Sequence, residues 1–350
     1  MKRFIAIIFL IISFPIILSG LSIEQGRMKL VLHEESGRFS LYYLDDIEEN
    51  SYTSLLFERD PRTSSLGLLV NNKIVTLGTT KSYDQITEKT VDGARFVWVS
   101  PKLKIVESFR FVKSNPNGLT DGVAVTVKVS NVSEDIQSVG VHFLMDTYLG
   151  ENRDSHFVTS NNAQIEGETG FDLQIPAYWI SEAKDKSFKG FQSVVKGNGV
   201  TIPDKIVFSN WKRLSENLWN IQVQNNRNFN LLPYSINDSA ACQFYNPIQL
   251  SPGGQRTVVM LLGAYTDAPL SLGNVLGDEP ITRVSVEVPD IKAGDVEKLI
   301  KEDLIAVNDI ISNIDSLLSF PDEISEEKIE LIQRSLQTLQ SKQAQYPSSQ

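Results

Sequence analysis

Residues 122–149 read GVAVTVKVSNVSEDIQSVGVHFLMDTYL. Val123, Val125, Val127 and Val129 alternate with Ala124, Thr126 and Lys128. Successive side chains on a strand point to opposite faces, so this spacing predicts a strand with one valine stripe. The run NVSEDIQ supplies turn-prone polar residues, and a second β-rich run follows with Val139, Val141 and Phe143 on one side. Two long strands joined by a polar loop predict an antiparallel hairpin. At the centre of the chain, that hairpin predicts a mainly β protein built as a large antiparallel sandwich.

The period-2 pattern continues in both directions. Upstream, strands are expected at 28–33, 38–44 and 103–112. Hairpins are expected at 65–77, where GLLV-NN-KIVTL places an Asn pair at a type I′ corner, and at 87–100, with Asp92-Gly93 at the turn. Downstream, 188–195, 205–211, 218–224, 240–245, 257–265 and 282–288 read as strands, while 150–170 reads as a polar loop. Roughly a dozen short strands separated by turn signals fit a sandwich, and the absence of a fixed repeat argues against a propeller.

At 289–295 the pattern turns helical. Val296, Ile300, Leu304, Val307, Ile311, Ile314 and Leu318 recur at spacings of three and four, as an a/d seam does. FPDE breaks that helix, Ser325 can cap the next, and Ile329, Ile332, Leu336 and Leu339 repeat the spacing. The pair predicts an αα-hairpin with a buried seam, in which a charge at Leu304 would unfold the hairpin. The expected organisation is a leader over 1–22, a sandwich over 23–288, and the hairpin with a frayed tail over 289–350.

The leader reading rests on Lys2 and Arg3, the apolar run 4–18, and small residues at Ser19, Gly20 and Ser22. This is the pattern of a secretory signal peptide cleaved after Gly20 or Ser22, and it predicts a periplasmic or secreted protein of the cell envelope. No later stretch is apolar enough to span a bilayer. The formal net charge is −10, and loss of Lys2 and Arg3 would take it to −12. Such a surface excludes nucleic acid as a partner and disfavours anionic membranes. A single cysteine, Cys242, excludes an internal disulfide and reads as a small buried residue.

The segments MKLVLHEESGRFSLYYL, SVGVHFLMDTYLGEN and PDKIVFSNWKRL…SPGGQRTVVMLLGAY resemble a group of secreted β-sandwich proteins of spirochaetes. More loosely, residues 27–267 resemble the supersandwich class that includes galactose mutarotases. The resemblance implies carbohydrate binding on a concave sheet face. The histidine–glutamate arrangement of mutarotases does not map onto this sequence.

Two sets of residues are candidates for chemistry. The run from Asp146 to His156 carries Asp146, Glu151 and Asp154, whose carboxylates can hold Ca²⁺ with an Asn carbonyl. Its composition is equally that of a solvated loop. Trp179, Trp211 and Tyr245 can stack on a sugar, and His156 can join a ligand site, although core packing claims most such aromatics. No nucleophile motif, phosphate loop or zinc signature is present. The reading favoured is a non-catalytic binding or scaffold module with an envelope protein or a glycan as partner, and self-association through the C-terminal helices. The alternative is a carbohydrate-active enzyme of epimerase, lyase or glycosidase type.

Overall fold

The computed structural model describes residues 20–272 and 293–343. In chain order its strands begin with β1 (Gly20–Gln25), β2 (Met28–His33), β3 (Arg38–Asp46), β4 (Ser51–Ser54), β5 (Ser65–Val70) and β6 (Lys73–Thr76). Next come β7 (Asp84–Thr90), β8 (Gly93–Val99), β9 (Leu103–Val112), β10 (Gly122–Asn131), β11 (Gln137–Asp146), β12 (Phe157–Thr159) and β13 (Gln164–Ile165). The rest are β14 (Thr169–Phe171), β15 (Tyr178–Glu182), β16 (Gly190–Val194), β17 (Lys205–Asn210), helix α1 (Trp211–Glu216), β18 (Ser239–Leu250), β19 (Gln255–Tyr265), α2 (Ala293–Ser319) and α3 (Glu326–Gln343). A nine-stranded sheet runs β13-β12-β15-β16-β19-β10-β9-β8-β7 and a six-stranded sheet runs β14-β17-β18-β11-β5-β6. Strands β1 to β4 form a third sheet in sequence order. All three contribute to one core that includes Leu30, Leu41, Phe109, Val125, Phe143, Phe208 and Met260. No described helix is long and apolar enough to cross a membrane.

The strands expected over 122–149 are present, but they do not form a hairpin. β10 pairs with β9 and β19 in the nine-stranded sheet, whereas β11 pairs with β5 and β18 in the six-stranded one. Both valine stripes are real, and both lie in the same core cluster. Stacking the two strands across the interior buries both stripes at once, which side-by-side pairing cannot do. The polar loop is therefore a corner between sheets. β18 and β19 make a second corner of the same kind through residues 251–254.

Asn131 joins the two corners. Its side-chain amide donates to Leu250 O and Asp135 O, both at 2.8 Å, and its Oδ1 accepts from Ser133 N at 3.0 Å and Ser133 Oγ at 2.7 Å. Its backbone N–H donates to Gly254 O at 2.9 Å and its carbonyl accepts from Gly253 N at 3.0 Å. Asn131 is buried, and every polar group it carries is satisfied.

Elsewhere the sequence reading is corrected in two places. Residues 218–224 are not a strand. With α1 they form an irregular cover in which Leu214, Leu218, Trp219, Ile221 and Val223 close over Leu144, Val207 and Cys242 on the outer face of the six-stranded sheet. Glu168 holds this cover in place: its buried carboxylate accepts from Arg213 Nε at 2.8 Å, Arg213 Nη2 at 2.9 Å, Ser209 Oγ at 2.6 Å and Gln224 N at 2.7 Å. The polar stretch 150–170 is not wholly loop, since β12 and β13 add the last strands of the nine-stranded sheet. Gly20, Leu21 and Ser22, given to the leader above, begin β1 opposite His33, Leu32 and Val31. The remainder of the leader, through residue 19, and the strand expected at 282–288 lie outside the described residues.

Asn131→Ala would remove a buried donor from Leu250 O and unfasten the Ser133–Asp135 loop, and is expected to destabilise the chain by about 2 kcal/mol in urea unfolding. Asn131→Asp should cost at least as much, because a carboxylate would then face Leu250 O and Asp135 O. A change below about 0.5 kcal/mol, the level of an ordinary surface substitution, would show that the corners hold without it.

Candidate functional site

The acidic residues of the loop after β11 sit in different surroundings. Asp146 is buried at the end of its strand, and burial pushes its carboxyl up to about 8, with Asp238, Glu151 and Asp60 adding to the rise and a hydrogen bond from Thr63 opposing it. Glu151 is pushed up to about 7, also by burial, and its Oε1 accepts from Ser239 N at 3.0 Å. Asp154 is exposed in the following turn. Among the described residues no three His, Cys, Asp or Glu side chains gather to hold a metal. His156 is buried, its ring 4.5 Å from that of Phe229, and burial pushes it down to about 4.

The aromatic candidates divide in a similar way. Trp179 and Tyr245 lie in the core and present no face to a ligand. Trp211 is half-buried, and its Nε1 donates to Thr63 O at 2.8 Å. His142, which its apolar strand marks as a core or sheet-rim histidine in preference to a ligand, is buried at the six-stranded sheet's outer face and accepts on Nδ1 from Trp219 Nε1 at 3.0 Å. Burial pushes it down to about 4, which keeps the ring neutral. Cys242 is buried, and the same effect pushes its thiol up.

The outer face of the nine-stranded sheet is covered at its centre by the chain itself. Leu270 packs with Val112, Ala124, Val194 and Leu261, and Val200 and Leu272 complete the patch. A Cβ at Gly122 would collide with Leu270. Gln192 pins the cover: its Oε1 accepts from Leu270 N at 3.2 Å and its amide donates to Ala264 O at 2.7 Å. Beside it Tyr178 stacks on Tyr265 with ring centroids 5.7 Å apart. Glu182, on the same strand face as Tyr178, is tied to Arg153 at 3.0 Å.

The helical hairpin forms as expected, but with α2 turned the other way. Ile310 and Leu317 are buried, each 7% exposed. The expected seam of Ile300, Leu304, Val307, Ile311, Ile314 and Leu318 is 37–68% exposed. Val296's side chain lies outside the described residues. On α3, Ile332 and Leu339 are half-buried, whereas Ile329 and Leu336 are exposed. A charge at Leu304, which borders the open cleft beside Leu44, Ile47 and Tyr52, would therefore stay in water and leave the hairpin folded, the reverse of the expectation above.

Polar groups decide this orientation. Both carboxylate oxygens of Asp309 accept from Gly26 N at 2.8 Å, and Arg27 pairs with Glu302 at 2.7 Å. Gly26 holds the tight turn between β1 and β2 at φ +57°, where a Cβ would run into Thr120. Lys342 of α3 bridges to Asp303 of α2 at 3.1 Å. Glu302, Asp309 and Ser316 are spaced by seven and so share one face of the helix. A hydropathy scan scores that face as solvent-exposed, although the i, i+7 acids opposite a Gly-Arg turn were a signal available in the sequence. Cavities of about 320 Å³, between Glu24, Asp92, Asn308 and Ser312, and about 190 Å³, between Lys113, Thr120, Ala306 and Leu339, flank this junction.

No family model matches the chain. No curated protein matches it either. Among solved structures it is similar to a galactose mutarotase related enzyme from Lactobacillus acidophilus, at 10% identity and a TM-score of 0.45, over 71% of this chain and 99% of that one. It is similar to a galactose mutarotase-like protein from Lactobacillus casei, at 9% identity and a TM-score of 0.46, over 71% and 100%. A TPR-domain containing protein from Parabacteroides distasonis gives 11% identity and a TM-score of 0.44, over 95% and 72%. No residue's role passes from these proteins to this one.

Burial raises the Asp309 carboxyl from 3.8 to about 6, against the opposing pull of Gly26 N–H and Lys113. A carboxyl raised on folding stabilises docking below its unfolded value and loses that contribution as pH climbs through the folded value. Amide protection of α2 and α3, corrected for intrinsic exchange, is expected to fall between about pH 4 and pH 7 and to level off above that. Asp309→Asn should flatten that fall. An unchanged slope in the variant would remove Asp309 as its cause.

Proposed function

We propose that this chain is a non-catalytic protein-binding module of the cell envelope, with the sandwich as platform and the outward face of α2 as docking element. The observation that carries the reading is the exposed seam from Ile300 to Leu318. At 1.5 Å rise per residue it runs for ~27 Å along one helix face. A soluble domain rarely leaves a continuous apolar stripe of that kind uncovered. The helix is also held from behind by Asp309 and Arg27, so presenting the seam does not require the helix to form on binding. Covering the exposed half of six large apolar side chains is worth roughly 5–9 kcal/mol gross. That is comparable to what association costs in lost freedom, so the partner surface must contribute in kind.

The sheet faces support the same reading. A sugar-processing site calls for converging carboxylates beside accessible aromatics. Here the centre of the outer nine-stranded face is filled by Leu270, and Glu182 is neutralised by Arg153. The Tyr178–Tyr265 stack is the feature that suits a sugar, and it stands beside a salt bridge in place of a free acid–base pair. Placement in the envelope is supported by the leader pattern at 1–22.

Two measurements test the reading. Photocrosslinking in the native host from position 304 or 311 is expected to give a discrete protein adduct, and a sugar mutarotation assay followed by polarimetry is expected to run at the uncatalysed rate. Catalysed mutarotation, or no adduct from either position, would overturn it.

A further inference from the structure

We infer that the partner of the α2 seam is the α2 seam of a second copy, packed antiparallel about a two-fold axis. This rests on the reading of α2 as a docking element and supplies its occupant. Ile300, Leu304, Val307, Ile311, Ile314 and Leu318 step by four, three, four, three and four. That is the a/d spacing of a coiled-coil seam, whose complement is another helix. With Leu304, Ile311 and Leu318 at a, and Ile300, Val307 and Ile314 at d, an antiparallel partner brings every a opposite a d. Leu318 meets Ile300, Ile311 meets Val307, and Leu304 meets Ile314, each pair twice by symmetry. One register therefore covers all six side chains on both copies, with none left over.

The flanking positions fit the same register. Lys301, Asn308 and Asp315 lie beside the seam, one heptad apart. Antiparallel pairing about the middle of the seam sets Lys301 of one copy near Asp315 of the other, and the two Asn308 amides face each other at the axis. Asp315 is exposed and makes no ion pair among the described residues, while Lys301 keeps Glu297 at 3.3 Å and Glu48 at 3.7 Å on its own chain. The opposite flank, Asp303, Ile310 and Leu317, is already committed within the chain: Ile310 and Leu317 are buried and Asp303 holds Lys342. Such an interface is isologous and closes at two copies, so it does not propagate into filaments. It also doubles the apolar surface covered, which meets the requirement that the partner contribute in kind.

The test is the mass of the purified full chain across a concentration series, by light scattering or sedimentation. The native chain is expected to reach twice the chain mass. Leu304→Asp with Ile311→Asp should remain a monomer at every concentration while the amide protection of α2 and α3 stays native. Asp315→Lys should weaken the dimer by roughly tenfold, because two ion pairs become two like-charge contacts. Adding Lys301→Glu to that variant should restore it. A native chain that stays monomeric overturns the inference, as does a dimer untouched by Leu304→Asp with Ile311→Asp. Failure of the charge swap to rescue overturns the antiparallel register. A monomeric chain that still gives an adduct of heterologous mass from position 304 would refute self-association and leave the docking role of α2 standing.

Discussion

Everything in the sandwich depends on where the chain changes sheets, and the Asn131 side chain fixes that place. There β10 leaves the nine-stranded sheet for β11 and β18 leaves the six-stranded sheet for β19, and one amide with four hydrogen bonds holds both corners. If the corners slipped by one residue, every side chain of β10 and β11 would exchange faces, and the two valine stripes would leave the core. The buried amide specifies register as well as adding stability. Burial makes the bond to Leu250 O the costliest to lose.

The strand pattern was legible because it needs only period-2 alternation. β2 and β9 follow their predicted boundaries, and the Asn71-Asn72 corner adopts positive φ at both residues as a type I′ turn requires. Which strand lies beside which was not legible. The five residues between β10 and β11 suit a hairpin and a sheet-to-sheet corner equally, and the difference lies in long-range pairing with β9, β19, β5 and β18. The cover over residues 218–224 was misread for a related reason. Alternating apolar residues there meet Leu144 and Cys242 from outside, without a neighbouring strand to pair with.

Candidate sites were less legible than the fold. Carboxylates and aromatics in the sequence carry no sign of which way they point. Trp179 and Tyr245 point into the core, and Asp146 and Glu151 are consumed by local hydrogen bonding and burial. On α2 the spacing was right and the direction was reversed. The helix has two apolar edges, and hydropathy favours the longer one as the buried face. What turns the shorter edge inward is a pair of acids, Glu302 and Asp309, whose partners are a guanidinium and a backbone N–H nearly 300 residues away in sequence. With the shorter edge inward, the acids that face the sandwich each have a partner, without which their burial would cost more than an exposed leucine does. The helix therefore faces outward with the surface that a soluble monomer would be expected to hide.

Carbene footprinting of α2 across a concentration series tests that orientation and its consequence together. Leu304, Ile311 and Leu318 should be labelled in dilute solution and become protected as concentration rises, while Ile310 and Leu317 stay protected throughout. Protection of the seam at high dilution would mean that the chain's own sandwich covers it. Labelling of the seam at every concentration would mean that no second copy does.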